Sequence, residues 1–176
     1  VRLVGSEMCI RDSIRQNNED SAYAGSRLLA LADGMGGHAA GEIASQLMIA
    51  AVSRLDNDQP GPDLLESLRR ACIEGNNSIA DEIEQNPSTQ GMGTTLTALL
   101  FDGTRLGMCH VGDSRGYLLR DGELIRITRD DTYVQSLVDE GNLTEEEAAI
   151  HPQRSLILKA LTGRPVEPTL SYRDVH

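Results

Sequence analysis

Four short clusters hold most of the residues that could do chemistry. They are Arg15-Gln16-Asn17-Asn18-Glu19-Asp20, Asp33-Gly34-Met35-Gly36-Gly37-His38, Gly91-Met92-Gly93-Thr94-Thr95 and Gly112-Asp113-Ser114-Arg115-Gly116. Asp33 follows the apolar run 27–32 and precedes three glycines within four positions. A carboxylate buried at such a junction must be paired, neutralised or bound to a cation. Glycines let backbone carbonyls approach an ion closely. Magnesium and manganese take carboxylate, carbonyl and water oxygens. Read alone, Asp33 also fits the cap of a helix starting near Ala39. The pattern is not GxGxxG, and no GK[ST] makes it a P-loop.

Glu19 and Asp20 are adjacent, so in a strand their side chains point to opposite faces. One can reach a site while the other braces it; a polar turn is the simpler alternative. Arg15 could grip a phosphate through its planar fork, although a lone Arg is usually just a surface residue. Asp113 ends an apolar strand, and the plain reading pairs it with Arg115. The four histidines show no HExxH or other metal spacing. His110 reads as structural, and His151, before Pro152, is a candidate acid in a mobile-looking region.

These clusters need elements to position them. The run 27–32 reads as a buried strand delivering Asp33 to a turn. Residues 39–55 read as a helix, with Ile43, Leu47, Ala50, Ala51 and Leu55 on one face. Residues 56–62 form a polar loop. A second helix covers 63–84, with Gly75 a weak point. Two hairpins follow, turning at Asp102-Gly103 and Asp121-Gly122. They predict a four-stranded meander over 94–101, 106–111, 116–120 and 123–128, interrupted at residues 112–115. Helical pattern returns at Thr132 and closes at Gly141. Thr144-Glu145-Glu146-Glu147 is a capped helix start, and residues 156–161 suggest another short helix. Residues 167–173 read as a last strand. The order β–α–α–β–β–β–β–α–β gives an α+β fold with helices on antiparallel sheet.

Composition narrows the function. The chain has 176 residues, 39 % hydrophobic and 24 % charged, which is globular rather than disordered. Its net charge of −11 is the wrong sign for a nucleic-acid backbone binder. Aromatics at 3 % leave little for base stacking. No run reaches the ~18 apolar residues of a membrane span. Cys9, Cys72 and Cys109 form no CxxC pair, which fits a reducing, cytoplasmic compartment. Residues 1–13 have no clear period and read as a non-native or disordered extension.

Taken in order, NNED, DGMGGHxxGExAS, GMGTT and HVGDSRGY resemble the metal-dependent serine/threonine protein phosphatases of the PPM, or type 2C, family. The likeness is greatest to the bacterial branch that opposes Hanks-type kinases, and it runs from about Arg15 to the last residue. It implies an antiparallel β-sandwich flanked by antiparallel helix pairs, with 39–55 and 63–84 as one pair. Residues 14–176 would be a partial phosphatase domain, and about 132–163 would hold the flap beside the site. The family uses two bridged Mn2+ or Mg2+ ions. By resemblance Asp33 bridges them, the Gly34 carbonyl binds one, and Glu19 and Asp20 hold metal-bound waters. Asp113 matches a third, weaker metal position, and Arg15 would grip the substrate phosphate. Water bridging two cations would attack phosphorus in line. Eukaryotic members often carry His where Met35 stands, so metal-bound water or His151 would be the general acid.

The resemblance also implies metal carboxylates from an SDG-type motif and a late DN motif, and neither stands in this sequence. The expectation is an incomplete domain with weak or no turnover by itself. The implied substrates are phosphorylated proteins: Hanks-type kinases and their targets. Two alternatives stand beside this reading: a non-catalytic phosphoprotein-binding pseudophosphatase, or a regulatory fragment.

Overall fold

The computed structural model describes residues 18–37, 39–57 and 61–174. Arg15 and the extension expected at 1–13 lie outside these residues. The apolar run near residue 28 forms a strand because Leu28, Ala30 and Ala32 alternate toward one buried face. This strand, β2 (Leu28–Met35), pairs antiparallel with β1 (Asp20–Ala24) on one side and β4 (Leu96–Phe101) on the other. Contrary to expectation, β2 does not end at Asp33. It continues to Met35 because the two-residue β3 (Gly93–Thr94) pairs with Gly34 and Met35. Asp33 is therefore a strand residue and not the cap of the next helix.

β4 turns at Asp102-Gly103 into β5 (Arg105–Val111), as the hairpin signal predicts. Asp102 builds that turn by accepting from the N–H groups of Thr104 and Arg105 at 2.9 and 2.7 Å. These donors, the Arg105 N–H first, hold the Asp102 carboxyl well below the usual carboxylate range. The second hairpin, β6 (Tyr117–Arg120) with β7 (Glu123–Arg126), also forms. The four strands are not one meander. β5 pairs instead with the last strand, β8 (Thr169–Asp174), giving the order β1-β2-β4-β5-β8, and the β6–β7 hairpin is a separate small sheet. The loop 112–115 breaks the ladder between them.

Helices α1 (Ala39–Ser53) and α2 (Leu64–Gln85) cover one face of the large sheet. Asp63 caps α2 by accepting from Leu65 and Glu66 N–H at 3.1 Å. Leu64, Leu68, Cys72 and Ile79 of α2 meet Leu28, Leu96, Leu100 and Cys109 of the sheet, all fully or almost fully buried. Each such leucine contributes roughly 1.5–3 kcal/mol over its exposed state. Gly75 is a contact rather than a weak point: a Cβ there would lie 2.7 Å from Met48 Sδ of α1.

The polar loop after α1 contains Asp56, an anchor with no sequence signature. Its carboxylate accepts from Arg27 and Leu28 N–H at 2.7 and 3.0 Å and from the Tyr23 hydroxyl at 3.1 Å. Burial alone would raise this carboxyl; the donors outweigh it and hold it below its ordinary value.

Beyond β7 come α3 (Tyr133–Asp139) and α4 (Glu145–Ile150). The capping box expected at Thr144 and Glu147 is present. The helix expected over 156–161 is absent. Its backbone groups are taken by distant partners: Tyr133 N–H donates to Leu156 O, and Leu158 N–H to Asp131 O. Leu161 exchanges two 2.9 Å bonds with Thr94 and is itself buried. On α2, Asn76 fixes the chain's return to β8 by bonding Gly163 N–H and Arg164 O at 2.9 and 2.8 Å.

Candidate metal site

Asp20 and Asp33 are direct partners in the β1–β2 ladder, so their side chains leave the same face of the sheet. That face is the one turned away from α1 and α2, because the alternate residues Leu28, Ala30 and Ala32 point into the helix-side core. Asp20 is exposed and Asp33 half-buried. Glu19 projects differently: its Oε2 lies 2.1 Å from the place a Cβ on Gly41 would occupy. The adjacent acids thus divide as expected, Asp20 on the Asp33 face and Glu19 against the first turn of α1.

The glycines after Asp33 let α1 approach. A Cβ on Gly34 would fall 2.1 Å from Gly41 O and 2.5 Å from Glu19 O, both backbone atoms. Gly34 N–H donates to that same Glu19 O at 3.2 Å. Ser45 of α1, fully buried, donates to it at 2.6 Å. The Ser of the GExAS pattern therefore ties the acidic segment to the helix.

The GMGTT and GDSR clusters act on Asp33 through its backbone. Asp33 O accepts from Thr95 N–H at 3.0 Å and from the Thr94 hydroxyl at 3.1 Å. Asp33 N–H donates to Thr95 Oγ1 at 3.0 Å, and that oxygen lies 2.9 Å from Ser114 Oγ. Gly112 makes the turn at φ +109°, where a Cβ would strike Thr95 Cγ2 at 2.5 Å.

Asp113 follows in the same loop, half-buried. Burial pushes its carboxyl up, and the negative charge of Asp130 adds to the rise. Arg115 does not pair with Asp113 as the plain reading expected. Its guanidinium grips Asp130 at 2.7 and 3.1 Å, with Arg126 3.5 Å from the other oxygen. Asp130 is nearly buried, so this pair locks the loop to the segment before α3. Asp131 adds a second lock, accepting from Gly112 N–H at 2.8 Å. Asp56, Asp130 and Asp131 had no local signal, because each acts on a residue far away in the chain.

His151 stands just after α4. Its Nδ1 accepts from Gln153 N–H at 3.1 Å, and its ring packs edge-on against Tyr133. Its backbone N–H donates to Ala148 O at 3.3 Å as the C-cap of α4. Arg15 lies outside the described residues.

The donor set suits a hard divalent cation in kind: carboxylates and a backbone carbonyl at one sheet end. It is short in number. Among the described residues no three His, Cys, Asp or Glu side chains gather closely enough to hold a metal ion.

The molecule is thus an α+β antiparallel sheet backed by a helix pair, with two aspartates opposed across its first two strands. The sequence profile of protein phosphatase 2C matches residues 4–136, and the chain belongs to that family. It is 67 % identical to the serine/threonine protein phosphatase PstP of Mycobacterium tuberculosis over 164 residues, 93 % of this chain. It spans only 32 % of that relative's length. The crystal structure of M. tuberculosis PstP superposes with a TM-score of 0.89 at 67 % identity, covering 92 % of this chain and 69 % of that one. A PstP catalytic domain in complex with two manganese ions matches at 64 % identity and a TM-score of 0.85, covering 92 % and 68 %. The fold is therefore that of the PPM phosphatases. Among the described residues no helix is long and apolar enough to cross a membrane.

Proposed function

We propose that this chain forms part of a Mn2+- or Mg2+-dependent phosphatase acting on phosphoserine and phosphothreonine in proteins. The observation that carries the reading is the register pair Asp20–Asp33, two carboxylates aimed the same way from adjacent strands. Two like charges so placed repel, and a divalent cation reverses the sign of that interaction. Asp33, the Gly34 carbonyl, Asp20 and Glu19 would hold the two ions, with Asp113 toward a third. Bound divalent cations supply Lewis-acid activation of water and neutralise charge on phosphoryl oxygens.

This chain's own residues do the rest. Thr94 and Thr95 fix the Asp33 backbone, and Ser45 fixes Glu19. Arg15 would orient the substrate phosphate through its fork. His151 is the candidate general acid. Residues of about 132–163 would serve as a flap anchored by Asp130, Asp131 and Leu161. The substrates are phosphorylated proteins, Hanks-type kinases and their targets among them. The buried thiols Cys72 and Cys109, which carry no disulfide, support a reducing cytoplasm.

With fewer than three acidic ligands gathered among the described residues, turnover by the 176-residue chain alone will be weak or absent. The test is manganese-dependent phosphate release from a phosphothreonyl peptide by the product of the whole source gene. Release that Asp33→Ala abolishes bears the reading out. Peptide binding without release would make the protein a pseudophosphatase, and neither binding nor release would leave a regulatory fragment.

A further inference from the structure

We infer that His110 is a positioning residue, setting the 112–115 loop against the Asp33 strand through Thr97. Its consequence for metal binding rests on the phosphatase reading; its geometry does not. His110 sits on β5 directly opposite Thr97 of β4, on the sheet face shared with Asp33, and is 1 % exposed. Its Nδ1 lies 2.9 Å from Thr97 Oγ1. Thr97 Oγ1 lies 3.4 Å from Ser114 O. Ser114 Oγ meets Thr95 Oγ1, which accepts the Asp33 N–H. Three residues, Thr97, Ser114 and Thr95, thus connect a buried imidazole to the backbone of Asp33.

Proton bookkeeping assigns the tautomer. The Thr97 hydroxyl has one proton. If that proton goes to Ser114 O, the oxygen must accept from His110 Nδ1–H, and Nε2 keeps a bare lone pair. The opposite tautomer would bury an Nε2–H, and Nε2 has no hydrogen-bond partner among the described residues. An orphaned N–H is the rarer outcome, and an unmade bond at a buried donor is costly. Ser171 Oγ is the other buried side-chain atom without a partner among the described residues. It belongs to the strand paired with β5 and opposes Met108, two residues from His110 on the same face. Its hydroxyl proton is a donor of the kind the bare Nε2 lacks. His110 therefore acts as a fixed donor through Nδ1. It holds the Thr97 hydroxyl turned to Ser114, and the loop that carries Asp113 is held with it.

The test is nitrogen NMR on the whole chain at neutral pH. The expected imidazole is protonated at Nδ1 and bare at Nε2. Thr97→Val removes the hydroxyl and keeps the shape; it should shift the backbone amides of Ser114 and Asp33, and Thr97→Ser should return both to wild-type positions. In Mn2+ titrations, Thr97→Val should weaken affinity about tenfold, the scale of lost support behind metal ligands, and Thr97→Ser should not. An Nε2–H tautomer, or a Thr97→Val perturbation that leaves Ser114 and Asp33 unmoved, overturns the inference. A wild-type chain that takes no Mn2+ would overturn the phosphatase reading instead, and the NMR result would still decide the role of His110.

Discussion

Asp20 faces Asp33 across the β1–β2 ladder, one residue in register with the other. Directly opposed like charges weaken an antiparallel pair. Nothing in the sheet's own packing calls for this arrangement, since Ser21 and Tyr23, the neighbours of Asp20 and Ala22, already fasten β1 to the helical side. On the proposed reading the repulsion is the cost of a cation site. Asp20→Asn should therefore stabilise the metal-free protein by about 0.5 kcal/mol. Thermal melts with and without Mn2+ will show it: the variant should melt higher than wild type without metal and gain less from its addition.

Gly34 is confined by backbone on two sides, with Gly41 O and Glu19 O inside contact distance of any added Cβ. Backbone cannot step aside as a flexible side chain can. Gly34→Ala should cost about 2–4 kcal/mol, in the upper range of single substitutions. Denaturant unfolding against Gly37→Ala checks this. A Cβ at Gly37 meets nothing within 4 Å, so only its positive φ of +74° is strained there.

Asp130 is nearly buried between Arg115 and Arg126. Asp130→Ala leaves two guanidinium groups facing each other without their carboxylate. Because Arg115 is about half exposed, water softens the loss, and we expect about 2 kcal/mol rather than the full penalty for a broken buried pair. Hydrogen exchange should speed up in residues 112–116 and in α3 before it does in the main sheet.

Asp56 and Asp102 have folded-state carboxyls held below their unfolded values. A depressed carboxyl adds stability that is whole above the unfolded pKa, near 3.9, and is lost as pH falls through the folded value. Stability should be flat from pH 7 to about 5 and decline below about 4. Asp56→Asn should lower stability by about 1–2 kcal/mol at pH 7 and flatten the acid limb. Chemical unfolding at pH 7 and pH 3.5 tests both statements.

Much of this architecture is legible where the signal is local. The apolar run 27–32 marks β2, the apolar stripes mark α1 and α2, and the Asp-Gly pairs mark both hairpins. The Thr144 capping box needs only four residues. What stays hidden is non-local. Whether β5 pairs with β6 or with β8 depends on residues some sixty positions away. Residues 156–161 carry the apolar density of a short helix, but Thr94 and Asp131 claim their backbone groups. Arg115 stands two residues from Asp113 and chooses Asp130, fifteen residues on. The candidate carboxylates Asp20 and Asp33 were readable as residue types. Their opposition across a ladder became visible only with the register of β1 on β2.

The most direct test of the account is Mn2+ titration of the 176-residue chain by calorimetry, beside Asp33→Ala and Asp20→Ala. The account predicts weak binding to wild type, weaker binding to Asp20→Ala and none to Asp33→Ala, with all three proteins folded. Equal binding by all three, or none by wild type, would contradict it.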